Sequence, residues 1–224
     1  MHGKIQTIQP VGRGRRFAGP PGASGFTLVE LLVVITIISL LVGILVPAVQ
    51  TAIKQAEDAR VRTRVAELAV GCNAYAMEYE YCPGQAYPDQ LAGSGGAFTG
   101  SQWLAKALFT DDAAPVKFPH PKWAPMRSED LQNLDNKPDS IGDRTSKPMA
   151  ILYYPARLGT SGVSQYKIGD NSAYTGSTNQ SSLEGYVKNT SVGGQPRNAG
   201  RFVIIAAGID REYFTGDDPR FPAW

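Results

Sequence analysis

Histidine is almost missing from this chain of 224 residues, which holds only His2 and His120. There is no Gly-x-Ser-x-Gly turn and no His-rich or Cys-rich spacing of the kind that grips zinc. A catalytic triad and a zinc centre are therefore both argued against, and nothing in the residues points to an enzyme. A basic excess is missing too. The formal charge is +2, but Lys4, Arg13, Arg15 and Arg16 all fall in the first 25 residues, which contain no acid; without those four, 18 bases face 20 acids. A nucleic-acid binder needs a concentrated basic face, so nucleic acid is excluded as a partner. Cysteine is limited to Cys72 and Cys82, and from Phe26 to Val46 charge is limited to Glu30.

That apolar stretch, FTLVELLVVITIISLLVGILV, has 21 residues. As a helix rising 1.5 Å per residue it covers about 31 Å, the hydrocarbon thickness of a bilayer. The basic segment before it should stay in the cytoplasm, which puts everything after Pro47 on the far side. A secretory signal has its apolar stretch before the cleavage site. Here the order is reversed: a polar, basic segment ends in Ala23-Ser24-Gly25 and the apolar stretch begins at Phe26.

This arrangement, carried by GFTLVELLVVITIISLLVGILVPA from Gly25 to Ala48, resembles the class III signal of type IV prepilins. The resemblance implies cleavage between Gly25 and Phe26 by a prepilin peptidase and N-methylation of Phe26. Glu30, fifth after that cut, and Pro47, twenty-second, stand where the pilin pattern places an assembly glutamate and a helix-kinking proline. In the family the glutamate meets the methylated amine of a neighbouring subunit. A carboxylate in hydrocarbon costs about 2.5 kcal/mol or more, so it needs such a partner. The implied partners are like subunits, membrane lipids, and an inner-membrane assembly platform with its ATPase. The implied location is a single-pass inner-membrane protein with a periplasmic head, assembled later into a periplasmic or cell-surface filament.

Four segments follow: a cleaved leader over 1–25, a transmembrane and assembly helix over 26–47, its amphipathic continuation over 48–81, and a head over 82–224. In the continuation, Ile53 is followed by Val61, Val65, Leu68, Cys72, Tyr75 and Tyr79, spaced 4, 3, 4, 3 and 4 apart, with Lys54, Glu57, Arg60, Arg64 and Glu67 on other faces. One apolar stripe of this kind lies on a core. Cys82-Pro83-Gly84 should end the helix near Tyr81. A short helix capped by Ser101 is expected over QWLAKALF, then an irregular loop over 111–148. Residues 150–154 and 201–206 read as strands, with a third near Tyr186-Val187 inside a long surface loop over 157–200. The fold class is α+β and pilin-like: a long, kinked N-terminal helix on a small antiparallel sheet with long loops. Cys72 and Cys82 are a candidate disulfide only if the helix stops well before Cys82, since ten helical steps span about 15 Å.

The tail, Ala207-Gly208-Ile209-Asp210-Arg211-Glu212-Tyr213-Phe214-Thr215-Gly216-Asp217-Asp218, is similar to the end of the major pseudopilin of type II secretion, where such a loop binds calcium. By position the ligands would be Asp210, Asp217, Asp218 and the carbonyl of Ala207, with Glu212 at a further ligand position. All offer oxygen, as a hard cation requires. Arg211 and Phe214 stand where that family commonly has glycine. The resemblance favours a pseudopilus subunit that supports protein export; the alternatives are a type IV pilus pilin, and a tethered carbohydrate- or ligand-binding module using Trp103 and Trp123.

Overall fold

The computed structural model describes residues 25–85, 98–109, 130–177 and 179–222. The expected leader, apart from Gly25, lies outside the described residues, as do both histidines and Trp123. The chain divides into two compact units, one ending at Ala48 and the other running from Val49 to Trp224.

Helix α1 runs from Leu28 to Tyr79 with Pro47 inside it, so proline does not end the helix. In its first part every residue is exposed, and the apolar window has a mean hydropathy of 2.9 with none of it buried. The hydroxyls of Thr36 and Ser39 donate to the carbonyls of Leu32 and Ile35 at 2.8 and 2.7 Å. These polar side chains thus satisfy themselves on their own helix, as a lipid setting demands.

In the second unit the expected stripe is the buried face: Val61, Val65, Leu68, Cys72 and Tyr75 are each at most 3% exposed, and Tyr79 packs at the margin. Ile53 is exposed. Arg64, expected on an outer face, is buried, because Asp130 meets its guanidinium at 3.2 Å and Glu67 at 3.3 Å. Asp130 also accepts two bonds from Arg144, at 2.6 and 2.7 Å. The helix ends at Tyr79, where Glu80 takes the left-handed conformation (φ 65°) and turns the chain into Cys82-Pro83-Gly84.

Helix α2, Gly100–Phe109, is capped not by Ser101 but by Thr99. Thr99 Oγ1 accepts from Gln102 N at 3.2 Å, and Gln102 Oε1 accepts from Thr99 N at 2.9 Å, a reciprocal capping box. Ser101 Oγ instead accepts from Ile141 N at 3.0 Å. Gly100 lies so close to Tyr153 that a Cβ there would sit 2.0 Å from the Tyr153 carbonyl oxygen.

Part of the segment expected to be irregular is a hairpin: β1 (Leu131–Leu134) pairs antiparallel with β2 (Lys137–Ile141). Asp135 and Asn136 between them both have positive φ, 49° and 59°, as a two-residue type I′ turn requires. The main sheet is antiparallel, in the order β3 (Leu152–Pro155), β4 (Phe202–Ile205), β5 (Arg220–Phe221). Its first two strands are those expected. The third is not at Tyr186-Val187, which belong to helix α4, Gln180–Val187, started by Asn179 accepting from Ser181 N.

Strand periodicity explains the layering. Ile151, Tyr153, Phe202, Ile204 and Ala206 face the core made by α1 and α2. Leu152, Tyr154, Val203 and Ile205 face a second core, closed by Tyr166, Ile168, Tyr174, Leu183 and Val187. The 157–200 segment is therefore a packed layer rather than a surface loop, built from two 3₁₀ turns (Val163–Gln165, Ile168–Asn171), α3 (Ser172–Thr175) and α4. Within it Arg157 and Asp170 form a buried ion pair.

Candidate functional site

At the start of α1, Thr27 and Glu30 form a capping box. Glu30 Oε2 accepts from Thr27 N at 2.9 Å and from its hydroxyl at 2.8 Å, while Glu30 N donates to Thr27 Oγ1 at 3.2 Å. Two of the orphan donors of the first turn are thereby satisfied by side chains. The Thr-x-x-Glu spacing, Thr27 to Glu30, is the sequence signal of this box and gives Glu30 a second role beside assembly. Both bonds fall on Oε2, and Oε1 carries none among the described residues. Gly25 and Phe26 precede the helix as exposed, non-helical chain, the conformation a peptidase needs to reach a bond.

The second site is the tail between β4 and β5. It brings Asp210, Asp217 and Asp218 together, with one carboxylate oxygen of each within 4.8 Å of the others. Two oxygens on one calcium ion, each about 2.4 Å from it, lie no more than about 4.8 Å apart, so the spacing fits that cation. Asp218 is buried and organises the loop: Oδ2 accepts from Phe214 N (2.8 Å), Thr215 N (3.1 Å) and Tyr186 OH (3.0 Å), and Oδ1 from Gly208 N (3.2 Å). The Thr215 hydroxyl also lies 3.1 Å from Oδ1, so the donors around Asp218 fill the roughly four lone-pair positions a carboxylate has. Asp217 Oδ2 accepts from Ile209 N (2.8 Å) and Asp210 N (3.3 Å), and the Thr215 hydroxyl lies 2.8 Å from its Oδ1. Among the described residues, Asp210 accepts only from Glu212 N, at 2.9 Å. Asp210 and Asp217 are thus the carboxylates with most capacity left for a cation, and Asp218 is the scaffold beneath them.

Electrostatics separate the two neighbours. Burial lifts the Asp218 carboxyl above its ordinary range despite its hydrogen bonds. The Thr215 hydroxyl, and then backbone N–H groups, hold Asp217 below it. Gly208 makes the approach feasible, because a Cβ there would lie 2.4 Å from Asp217 Oδ2. Ala207 is buried two residues past β4, next to Ala206, whose N–H donates to the Pro219 carbonyl at 2.9 Å. Glu212 gives the site only its backbone N–H; its carboxylate is outside the three-aspartate cluster. Arg211 and Phe214 are left-handed, φ 62° and 67°, so the turn takes the shape glycine would favour without glycine. Tyr186 supports Asp218 from α4 and receives a bond from Arg220 at 2.6 Å, a support that the sequence reading did not include.

The candidate disulfide is not formed: Cys72 and Cys82 are free, buried thiols. The helix continues seven residues past Cys72, about 10 Å, before Glu80 turns the chain. Burial pushes the Cys72 thiol well up, and Cys82 up to about 11 against the opposing pull of Arg201. Trp103 is 2% exposed and belongs to the core, which removes it from any sugar-binding face.

The family described as the prokaryotic N-terminal methylation motif matches residues 21–46. That motif, with the apolar helix and the α+β head behind it, indicates a type IV pilin-like or pseudopilin-like prepilin. It points to a structural subunit that is processed by a prepilin peptidase, anchored by its N-terminal helix and assembled with other pilin subunits. No curated protein and no solved structure matches the chain.

Proposed function

We propose that the chain is a structural subunit of a type II secretion pseudopilus. The peptidase cuts between Gly25 and Phe26, Phe26 is N-methylated, and an inner-membrane platform with its ATPase lifts the subunit from the bilayer into a short periplasmic fibre. Glu30 exchanges part of its capping role for the amine of a neighbour, which sets axial register, because attraction between opposite charges grows in a low dielectric. A calcium ion would be held by Asp210 and Asp217, with Asp218 as scaffold and, by position in the sequence, the carbonyl of Ala207 as a further ligand; it would neutralise the tail and fix the β4–β5 connection.

The observation that favours a pseudopilus over a pilus is the convergence of Asp210, Asp217 and Asp218 in the tail. The test is co-expression with a prepilin peptidase and the remaining secretion components. The expected outcome is loss of the leader, fibre incorporation by the wild type, and normal membrane insertion but no incorporation by Glu30→Ala. Normal incorporation of Glu30→Ala would refute the register role. Surface fibres formed without any effect on protein export would replace the pseudopilus with a type IV pilus.

A further inference from the structure

Three arginines line one open cavity of about 500 Å³: Arg60 and Arg64 from α1, and Arg144 from the segment after β2, with Thr63 and Glu67 beside them. Two carboxylates answer these three cations among the described residues. Asp130 takes the Nε and Nη2 donors of Arg144 and lies 3.2 Å from Arg64, while Glu67 stands 3.3 Å from Arg64 and 4.0 Å from Arg144. Arg60 is exposed and has no ion pair among the described residues. Arg64 is 1% exposed, yet its Nε and Nη2 make no hydrogen bond there, although Asp130 is near. Burial lowers the Arg64 pKa against the pull of Asp130, and the charge of Arg144 lowers it further. Arg144 in turn holds a left-handed backbone, φ 59°, a conformation that ordinary side chains avoid and that gathers at functional sites. The Thr63 hydroxyl donates its proton to the Ala59 carbonyl at 2.9 Å, so what the cavity offers a ligand is guanidinium N–H, with the Arg60 donors uncommitted.

We infer that this cavity is an oxyanion site whose ligand is a phosphate group, held by Arg60 and Arg144 with the buried charge of Arg64 beside them. A guanidinium fork matches the oxygens of a carboxylate or a phosphate two at a time. A carboxylate is filled by one fork, as Asp130 is by Arg144. A phosphate has oxygens for two arginines at once and charge enough to offset the surplus cation and the repulsion between Arg64 and Arg144. Bound there, it would tie α1 at Arg60 to the segment after β2 at Arg144. The same chemistry is offered by inorganic phosphate and by the headgroup of an anionic lipid.

The test uses the full chain, cleaved at Gly25 to remove the basic leader, in a maltoside detergent with a calcium chelator. Inorganic phosphate is titrated in by calorimetry at an ionic strength held constant with chloride. Saturable binding of one phosphate per chain is expected. Arg60→Gln should weaken it about tenfold or more through the loss of charged hydrogen bonds, and leave the phosphate-free melting temperature unchanged, since Arg60 is exposed. Lys54→Gln removes the same charge from α1 outside this cavity and should bind within about twofold of wild type, because salt screens an exposed charge at a distance. A second arm places the chain in nanodiscs that carry a photoactivatable phosphatidylglycerol. Labelling of the 59–67 segment in wild type but not in Arg60→Gln assigns the site to a lipid headgroup; phosphate binding without such labelling assigns it to free phosphate. No saturable phosphate binding and no Arg60-dependent labelling would overturn the site. Phosphate binding by Arg60→Gln equal to wild type, or an equal loss in Lys54→Gln, would overturn it as well.

Discussion

Calcium should raise the melting temperature of the detergent-solubilised full chain, and the structure says by which residues. The three carboxylate oxygens lie within 4.8 Å of one another, but Asp218 is already surrounded by five donors, the Thr215 hydroxyl being shared with Asp217, so the ion's protein charge would come mainly from Asp210 and Asp217. A ligand at one hundred times its dissociation constant stabilises the folded state by about 2.7 kcal/mol. For a folded unit of this size each kcal/mol moves the midpoint by about 2–4 °C, so a shift of about 5–10 °C is expected. Magnesium, which demands a tighter octahedron of oxygens, should give less. Asp217→Asn should melt within about 1 kcal/mol of wild type in chelator, because the amide oxygen can still accept from Ile209 N and Asp210 N while the amide nitrogen faces the Thr215 oxygen. The same variant should lose most of the calcium shift. Thermal melts followed by circular dichroism, in chelator, magnesium and calcium, read both effects. An unchanged midpoint in calcium with the head folded, or an Asp217→Asn chain that shifts as far as wild type, would refute the site.

Gly208→Ala places a Cβ against Asp217 and should abolish the calcium shift while costing about 1–3 kcal/mol in chelator, measured by the same melts. Asp130→Asn leaves the 1%-exposed Arg64 with Glu67 alone and should cost about 3 kcal/mol in a denaturant titration, whereas Arg144→Ala, at a side chain 39% exposed, should cost no more than about 1 kcal/mol. Burial pushes Asp170 up to about 7 against the pull of Arg157. Its folded value thus exceeds its unfolded one, so the stability linked to its proton is full below about pH 4 and is lost as pH rises through about 7. Stability of wild type relative to Asp170→Asn should therefore fall between pH 4 and pH 8; a flat difference would refute the shift. Thr27→Ala removes the cap of α1 and should fray its first turn, seen as faster amide exchange at Glu30, at a cost of about 1 kcal/mol.

The readable parts of this chain were those where one physical signal dominates. The apolar segment and the stripe from Val61 to Tyr79 announce themselves by hydropathy and period, and the strands at Leu152–Pro155 and Phe202–Ile205 by four successive apolar or β-favouring side chains buried on both faces. Arg64 was misplaced because its burial depends on Asp130, 66 residues away in sequence, and no local pattern records that pairing. The hairpin is hard to read in the sequence because its strands, LQNL and KPDSI, are largely polar, leaving only Asp135-Asn136 as a turn signal. The layer over 157–200 resembles loop in the sequence because its burial comes from single residues, Tyr166, Ile168, Tyr174 and Leu183, that land on the sheet one at a time from short turns. Periodicity cannot detect a layer assembled in that way.

The acidic tail shows how spacing can be legible where residue type misleads. Asp210, Asp217 and Asp218 suggested a closed loop, while Arg211 and Phe214, at positions where glycine was expected, argued for another shape. Both are nevertheless left-handed, a conformation that costs an ordinary residue about 1–2 kcal/mol. The compensation is visible in their contacts. Phe214 N donates to Asp218, and its ring lies 5.5 Å from that of Tyr186, which in turn bonds Asp218. Arg211 N donates to the Gly208 carbonyl at 3.1 Å, and its guanidinium bonds the Lys147 carbonyl. Side chains that strain the turn are thus the ones that tie it to α4 and to the 145–147 segment. A loop held from outside in this way can keep its carboxylates together without the conformational freedom of glycine, which is why the spacing of the aspartates was the better guide.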